Sequence, residues 1–310
     1  MNSGIGLTTK LASGFLKVVR IYTYNTPIRK GSSRLMQLAL KIVRHPPEDL
    51  VARTRDGRGF AVDLTTGMQG TVFFFGEYEP FITELVELLI MQGDVCIDAG
   101  ANFGWYTTLM ANITGPLGSV HAFEPFPDSF EALQRNTNLL KDRASVELNR
   151  LALSDSESVA SITLFPGLPT GHASLIANGL SGKSVPCETA RLDLYLEQRS
   201  IDKIGFLKVD VEGAELSLLK GATKIFSQSV PPIIVMEMAL ATSSPFGYVP
   251  NDLIEFIRSQ ADFNFYKIDE INRRLIRISG FARDDIGANV LCVPANAEEH
   301  SRHVVSKYLG

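Results

Sequence analysis

Beyond residue 79, short apolar runs alternate with longer segments in which apolar side chains recur every three or four positions. "DVCIDAG" predicts a strand and "GWYTTLMANI" a helix; "GSVHAFEP" a strand and "PDSFEALQRNTNLLK" a helix; "SVELNRLALS" a further strand. Strand "GFLKVDV", helix "AELSLLKGATKIF", strand "PPIIVMEM" and helix "PNDLIEFIRSQ" continue the alternation, and "NFYKIDEINRRLIRISG" with "GANVLCVPA" closes it as a hairpin of strands. Such alternation predicts a mostly parallel α/β sheet covered by helices on both faces, with ligands held beyond the carboxyl ends of the strands. Ahead of it, residues 50–64 read as two short strands turning at Asp56-Gly57, and 79–92 as a helix with Pro80 in its first turn. Residues 158–190, rich in Gly, Ser and Pro, break the pattern and read as strands flanking a mobile loop, a lid or substrate wall. The expected organisation is a basic, helical extension over 1–47, a small β-hairpin segment over 48–78, the α/β domain over 79–296 and a tail over 297–310.

The extension is set apart by charge. Eight of the 30 lysines and arginines precede Glu48, the first of the 34 acids. As a helix, residues 7–22 place Leu7, Leu11, Phe15, Val18, Val19 and Tyr22 on one face and Lys10, Lys17 and Arg20 opposite. Three readings fit: a helix packed on the domain with solvated lysines, a helix lying on an anionic membrane surface, or a cleaved leader. No uncharged apolar run reaches the roughly 18–20 residues that span a bilayer. A net charge of −4 argues against general nucleic-acid affinity. Cys96, Cys187 and Cys292, without metal-site spacing, read as reduced thiols. The expected location is cytoplasmic, with peripheral membrane contact as an extension of that reading.

Between the first sheet strand and its helix stands "DAGANFG", residues 98–104. Gly100 and Gly104 permit positive φ and close ligand approach. Glu124, at the next strand end and 20 residues past Gly104, is placed to accept hydrogen bonds from two ribose hydroxyls. That pair suits NAD and S-adenosylmethionine alike. The turn lacks the G-x-G-x-x-G spacing that seats a pyrophosphate, and it opens with an anion that repels a diphosphate and attracts a sulfonium. In "ALSD", Ser154 or Asp155 is placed to reach an adenine edge. These features point to S-adenosylmethionine as cofactor.

"DVCIDAGANFGWYTTLMA", "HAFEPFPDSFEALQRN", "LALSD" and above all "FLKVDVEGAELSLLKGA" resemble the FkbM family of S-adenosylmethionine-dependent methyltransferases, as do "FFFGEYEP" and "ETARLDLYL". The resemblance covers roughly residues 72–293. It implies a seven-stranded, Rossmann-like class I methyltransferase fold and O-methylation of a hydroxyl on a carbohydrate or secondary metabolite. It also implies that Asp98, Gly100, Asn102, Gly104, Glu124 and Asp155 line the cofactor. Arg191 stands where the family commonly carries threonine before Leu192-Asp193.

Methyl transfer to an alcohol needs alignment and a group to take the hydroxyl proton. "FLKVDVEG" brings Lys208, Asp210 and Glu212 to the ligand edge, with Glu215 on the helix behind. Lys208 lies in a strand expected to be buried, where its ammonium needs Asp210, on the same side, or Glu237 of the next strand. Asp210 is the first choice of catalytic residue. Lys208, either a structural ion-pair partner or a residue positioning substrate or base, Glu212 and Glu237 are further candidates, and both acids of the 212–215 segment also suit a helix start. His172, within 158–190, is the histidine placed to act as base over a bound substrate. Asp210, Glu212 and Glu237 offer oxygen ligands of the kind magnesium takes, but no compact metal motif is present. The alternatives are an NAD-binding oxidoreductase and a non-catalytic or membrane-tethered scaffold. The acceptor is expected to be a small molecule or glycan; no pattern names it, nor the oligomeric state.

Overall fold

The computed structural model describes the chain save residues 1–2, 27–30, 44–45, 48–49, 141–143, 165–172, 175–182 and 283. It divides into two units, one of residues 1–79 with 138–140 and one holding the rest.

In the first unit, α1 (Ser3–Asn25) and α2 (Ser32–Ile42) accompany a hairpin of β1 (Leu50–Arg53) and β2 (Gly59–Val62) and a helix α3 (Gly67–Phe75). The Asp56-Gly57 turn falls where the sequence puts it, with Gly57 at φ 89°. Helix α3 is not announced by the pattern, because Gly67 and Gly70 depress helix propensity; it stops at Gly76, in the left-handed region.

In the second unit the elements run α4 (Pro80–Leu89), β3 (Val95–Ala99), α5 (Trp105–Thr114), β4 (Ser119–Phe123), α6 (Pro127–Thr137), β5 (Ser145–Asn149) and β6 (Ala152–Leu153). Then follow β7 (Ser158–Leu164), β8 (Ala173–Ser174), β9 (Lys183–Ala190), α7 (Leu192–Gln198), β10 (Phe206–Val209), α8 (Glu215–Lys220) and β11 (Ile233–Ala239). The last are α9 (Leu240–Ser243), α10 (Pro250–Gln260), β12 (Phe263–Asp269), β13 (Arg274–Ile278), β14 (Gly287–Pro294) and α11 (Glu299–Tyr308). Some starts have a local cause. Pro250 opens α10, for example, and the Asp252 carboxylate accepts the Val249 N–H at 2.8 Å.

The main sheet has the order β13-β12-β14-β11-β10-β3-β4-β5. From β5 through β11 all neighbours are parallel, and β14 enters antiparallel between β11 and β12. The sheet counts eight strands against the seven expected, because β13 folds back on β12 as an antiparallel edge hairpin while β14 pairs on the other side. This is the Rossmann-like class I methyltransferase arrangement with an added edge strand. Buried Ile97, Phe123, Leu207, Val209, Ile234 and Met236 place the core along these strands.

Two further differences have physical reasons. The expected strand 145–154 is split: β5 stays in the main sheet, whereas β6 pairs with β9 in a separate sheet ordered β6-β9-β7-β8. The expected helix 214–226 ends at Lys220, where the Ser154 carbonyl lies so close to Gly221 that a Cβ there would approach it to 2.0 Å.

Chain order reverses at β3, whose neighbours are β4 on one side and β10 on the other. The crevice beyond the carboxyl ends of β3, β4 and β10 is therefore the switch point of the sheet, where such folds hold ligands.

Candidate active site

The turn after β3 is built by its glycines. Gly100 takes φ 81°, and a Cβ there would stand 1.8 Å from the Asp210 carbonyl oxygen, so only glycine lets the end of β10 cross the turn. Gly104, at φ 91°, lets α6 approach: a Cβ would lie 2.8 Å from the Leu133 Cδ1. Asn102 holds φ 50°, a left-handed conformation that asparagine tolerates better than most residues. Asn136 braces the turn from α6 by donating to the Phe103 carbonyl at 2.8 Å.

Four of the amide protons of this turn, those of Gly100, Ala101, Asn102 and Gly104, are spent internally. Gly100 and Ala101 donate to the Phe123 carbonyl at 2.9 and 3.0 Å, and Gly104 donates to Ala101 at 2.8 Å. Asn102 donates to one oxygen of Glu124 at 2.8 Å, and Phe126 donates to the other at 2.8 Å. A diphosphate cradle needs such amides free. What the turn presents instead is carboxylate.

Asp98, Glu124, Asp210, Glu212 and Glu215 form one interacting group. Asp98 is buried and accepts the Thr107 hydroxyl; burial pushes its carboxyl up to about 6. Burial likewise raises Glu124 to about 7, against its two backbone hydrogen bonds, with Asp98 and Asp210 adding repulsion. Glu212, at φ 51°, is pushed up to about 9 by burial and by the charges of Asp210, Glu237 and Glu215. Glu215 is raised too, again chiefly by burial. Asp210 contributes repulsion to all four while remaining the accessible member, its side chain 38% exposed.

Lys208 supplies the opposing charge. It is only 1% exposed, registers beside Asp98 and reaches Asp210 at 3.2 Å. Its Nζ lies 5.2 Å from the centre of the Tyr106 ring. The ion pair expected with Asp210 is therefore formed. Glu237 follows Met236, the register partner of Val209, so it extends the row beside Asp210.

The turn from β10 to α8 is fastened from a distance. The Tyr248 hydroxyl lies 2.9 Å from the Gly213 carbonyl and 2.7 Å from Glu215, whose other oxygen accepts the Gly213 N–H at 3.0 Å. Gly213 takes φ 105°, and a Cβ would meet the Thr242 carbonyl at 2.2 Å.

The structure thus brings Asp98, Gly100, Asn102, Gly104, Glu124, Lys208, Asp210, Glu212 and Glu237 to one edge. Ser154 and Asp155 abut Gly221, just past the end of α8. His172 lies outside the described residues. Thr189 is tied into the second sheet by bonds to Ser156 and Ser158, and Asp193 caps residues 223–224. Among the described residues no group of three or more His, Cys, Asp or Glu side chains is arranged to hold a metal ion. Sequence reasoning missed Thr107, Tyr106, Asn136 and Tyr248. The aromatic and hydroxyl residues at a fixed offset after the glycine turn were the available signal for the first two; nothing local marks Tyr248.

Comparison with known proteins agrees with this geometry. A 31-O-demethyl-FK506 methyltransferase of Streptomyces tacrolimicus is 30% identical over 160 residues, covering 43% of this chain and 60% of its own. A hexuronic acid methyltransferase of Haloferax volcanii is 34% identical over 157 residues, covering 49% and 60%. The chain spans less than two thirds of the length of these relatives. Among solved structures, a SAM-dependent O-methyltransferase from Thermotoga maritima superposes with a TM-score of 0.36 at 12% identity, covering 84% of this chain and 83% of that one. The methyltransferase FkbM domain matches over residues 98–265, more than half of the chain. By that match and by the site it contains, the chain belongs to the FkbM family of S-adenosylmethionine-dependent methyltransferases.

Proposed function

We propose that the chain is an O-methyltransferase acting on a hydroxyl of a carbohydrate or secondary metabolite. The observation that carries the reading is the carboxylate group at the ends of β3, β4 and β10, with Asp98 and Glu124 buried, beside a turn four of whose amides are already bonded. Such a site repels phosphates and favours a cation. The names of the two relatives, a 31-O-demethyl-FK506 methyltransferase and a hexuronic acid methyltransferase, support an oxygen acceptor on a secondary metabolite or a sugar.

S-adenosylmethionine supplies the methyl group on a sulfonium. Glu124 keeps lone pairs for two ribose hydroxyls, because each of its oxygens accepts one backbone bond. Asp98 holds the anionic floor of the turn, and Gly100 lets the end of β10 with Asp210 cross it closely. Asp210 is the residue assigned to the acceptor's proton: it is the accessible carboxylate of the group, and Lys208 fixes it at 3.2 Å. Glu212, raised to about 9, keeps its own proton at neutral pH in the unliganded protein and so is not free to take the acceptor's.

The test is incubation with S-adenosylmethionine and two acceptor panels, hexuronic acid glycosides and macrolide alcohols, read by mass spectrometry. A 14 Da gain on an oxygen (the mass of CH2, about one methylene) that falls at least about a hundredfold in Asp210→Asn supports the reading. Methylation at nitrogen or carbon only, or an unaffected Asp210→Asn, overturns it.

A further inference from the structure

Helix α1 has two apolar faces, and only one of them is used. Leu16 and Val19 are buried, and Thr23 donates to the Phe74 carbonyl of α3 at 2.6 Å. Arg20 donates to the carbonyls of Phe73 and Arg53, and the Tyr24 ring stacks between Arg20 and Arg55. These bonds fix which way the helix faces. The neighbouring line, Leu11, Phe15, Val18 and Tyr22, is left outward at 67, 39, 66 and 57% exposure. Its spacing of four, three and four residues is one continuous stripe about 16 Å long at 1.5 Å per residue. Single exposed apolar residues are ordinary; a stripe of four along one helix is not.

Helix α2 repeats the feature. Leu38 and Ile42, 54 and 60% exposed, continue the line of exposed Arg34, with Lys41 alongside. The first 47 residues hold eight basic residues and no acid. No helix among the described residues is long and apolar enough to cross a membrane.

We propose that this N-terminal unit docks on an anionic phospholipid surface, with the α1 stripe entering the headgroup boundary and Arg34 and Lys41 of α2 facing the phosphates. Charge decides the occupant. A second copy joined through this face would bring two acid-free basic segments together, whereas an anionic bilayer complements both the charge and the apolar stripe. The proposal is independent of the methyl-transfer reading, since none of these residues belongs to the carboxylate site.

The experiment is co-sedimentation of the full chain with phosphatidylcholine vesicles, with and without phosphatidylglycerol, at low and raised salt. Two variants accompany it: Leu11→Ser/Phe15→Ser/Val18→Ser, and Arg34→Gln/Lys41→Gln. Wild type is expected to bind only the anionic vesicles and to be released by salt. The stripe variant should bind at least about tenfold more weakly, and the charge variant about fivefold more weakly per removed charge at low salt. Circular dichroism matching wild type certifies the fold of each variant, and the charge variant decides alone if the stripe variant fails to fold. No vesicle binding by wild type overturns the proposal, as does binding that both variants retain. A stripe variant that only shifts a dimer to monomer in light scattering also overturns it, assigning the face to a second copy.

Discussion

Gly100 is the residue at which the turn and the end of β10 meet. Alanine there would drive a Cβ to 1.8 Å from the Asp210 carbonyl at φ 81°. At Gly57, with φ 89° and nothing within 4 Å, alanine meets only backbone strain. Chemical denaturation should show Gly57→Ala costing about 1 kcal/mol and Gly100→Ala at least about 3 kcal/mol. Equal costs would mean that the close approach is not a constraint. Tyr248→Phe removes the hydroxyl held between Gly213 and Glu215. It should lower kcat with little change in KM for the cofactor, and cost roughly 1–3 kcal/mol of stability; a change in cofactor KM alone would contradict a role in holding the β10–α8 turn. At this scale the sequence was most legible where spacing carries the chemistry: Asp98, the two glycines and Glu124 fall within 27 consecutive residues and meet as expected. Tyr248 lies 33 residues from Glu215, and no local pattern announces such a pairing. Ser154 follows β6, which pairs with β9 outside the main sheet, a departure that no local pattern announces.

Among elements, the turn joining β10 to α8 concentrates the strain, with Glu212 and Gly213 both at positive φ. It also concentrates the charge, and there a neutral side chain should help the unliganded protein. The Glu212 carboxyl is raised to about 9, so at pH 8 folding makes it take up a proton that the unfolded chain has lost. Glu212→Gln should therefore raise stability at pH 8 by roughly 1–2 kcal/mol, and by less at pH 5, measured by urea denaturation. A loss at pH 8 would show that Glu212 is compensated in the folded state. The alternation of strands and helices was legible because both strand faces are buried and read as continuous apolar runs. The order of the last three strands was not, because β14 enters between β11 and β12 although it follows β13 in the chain. Pairing of that kind is decided by long-range contacts.

The whole molecule inherits a pH dependence of two opposite signs. Asp98, Glu124 and Glu212 have folded-state values of about 6, 7 and 9, all above their ordinary range. Each favours folding while protonated, and that advantage is lost as pH rises from about 4 through these values. Unliganded stability should fall across pH 5 to 9, as far as these groups govern it. A cationic ligand reverses the sign at the site, since it favours the ionised carboxyls, so its affinity should rise with pH over about 6 to 9. Thermal unfolding with and without S-adenosylmethionine should show a stabilisation that widens with pH; a stabilisation that narrows would contradict the carboxylate group as the cation site.

The most direct measurement is calorimetric titration of S-adenosylmethionine into the full chain and into Glu124→Ala. Micromolar binding by wild type, weakened at least about thirtyfold by loss of a buried carboxylate that serves two hydroxyls, is the expected result. Equal affinity in the variant, or no binding to a folded wild type, would contradict the placement of the cofactor in the turn between β3 and α5.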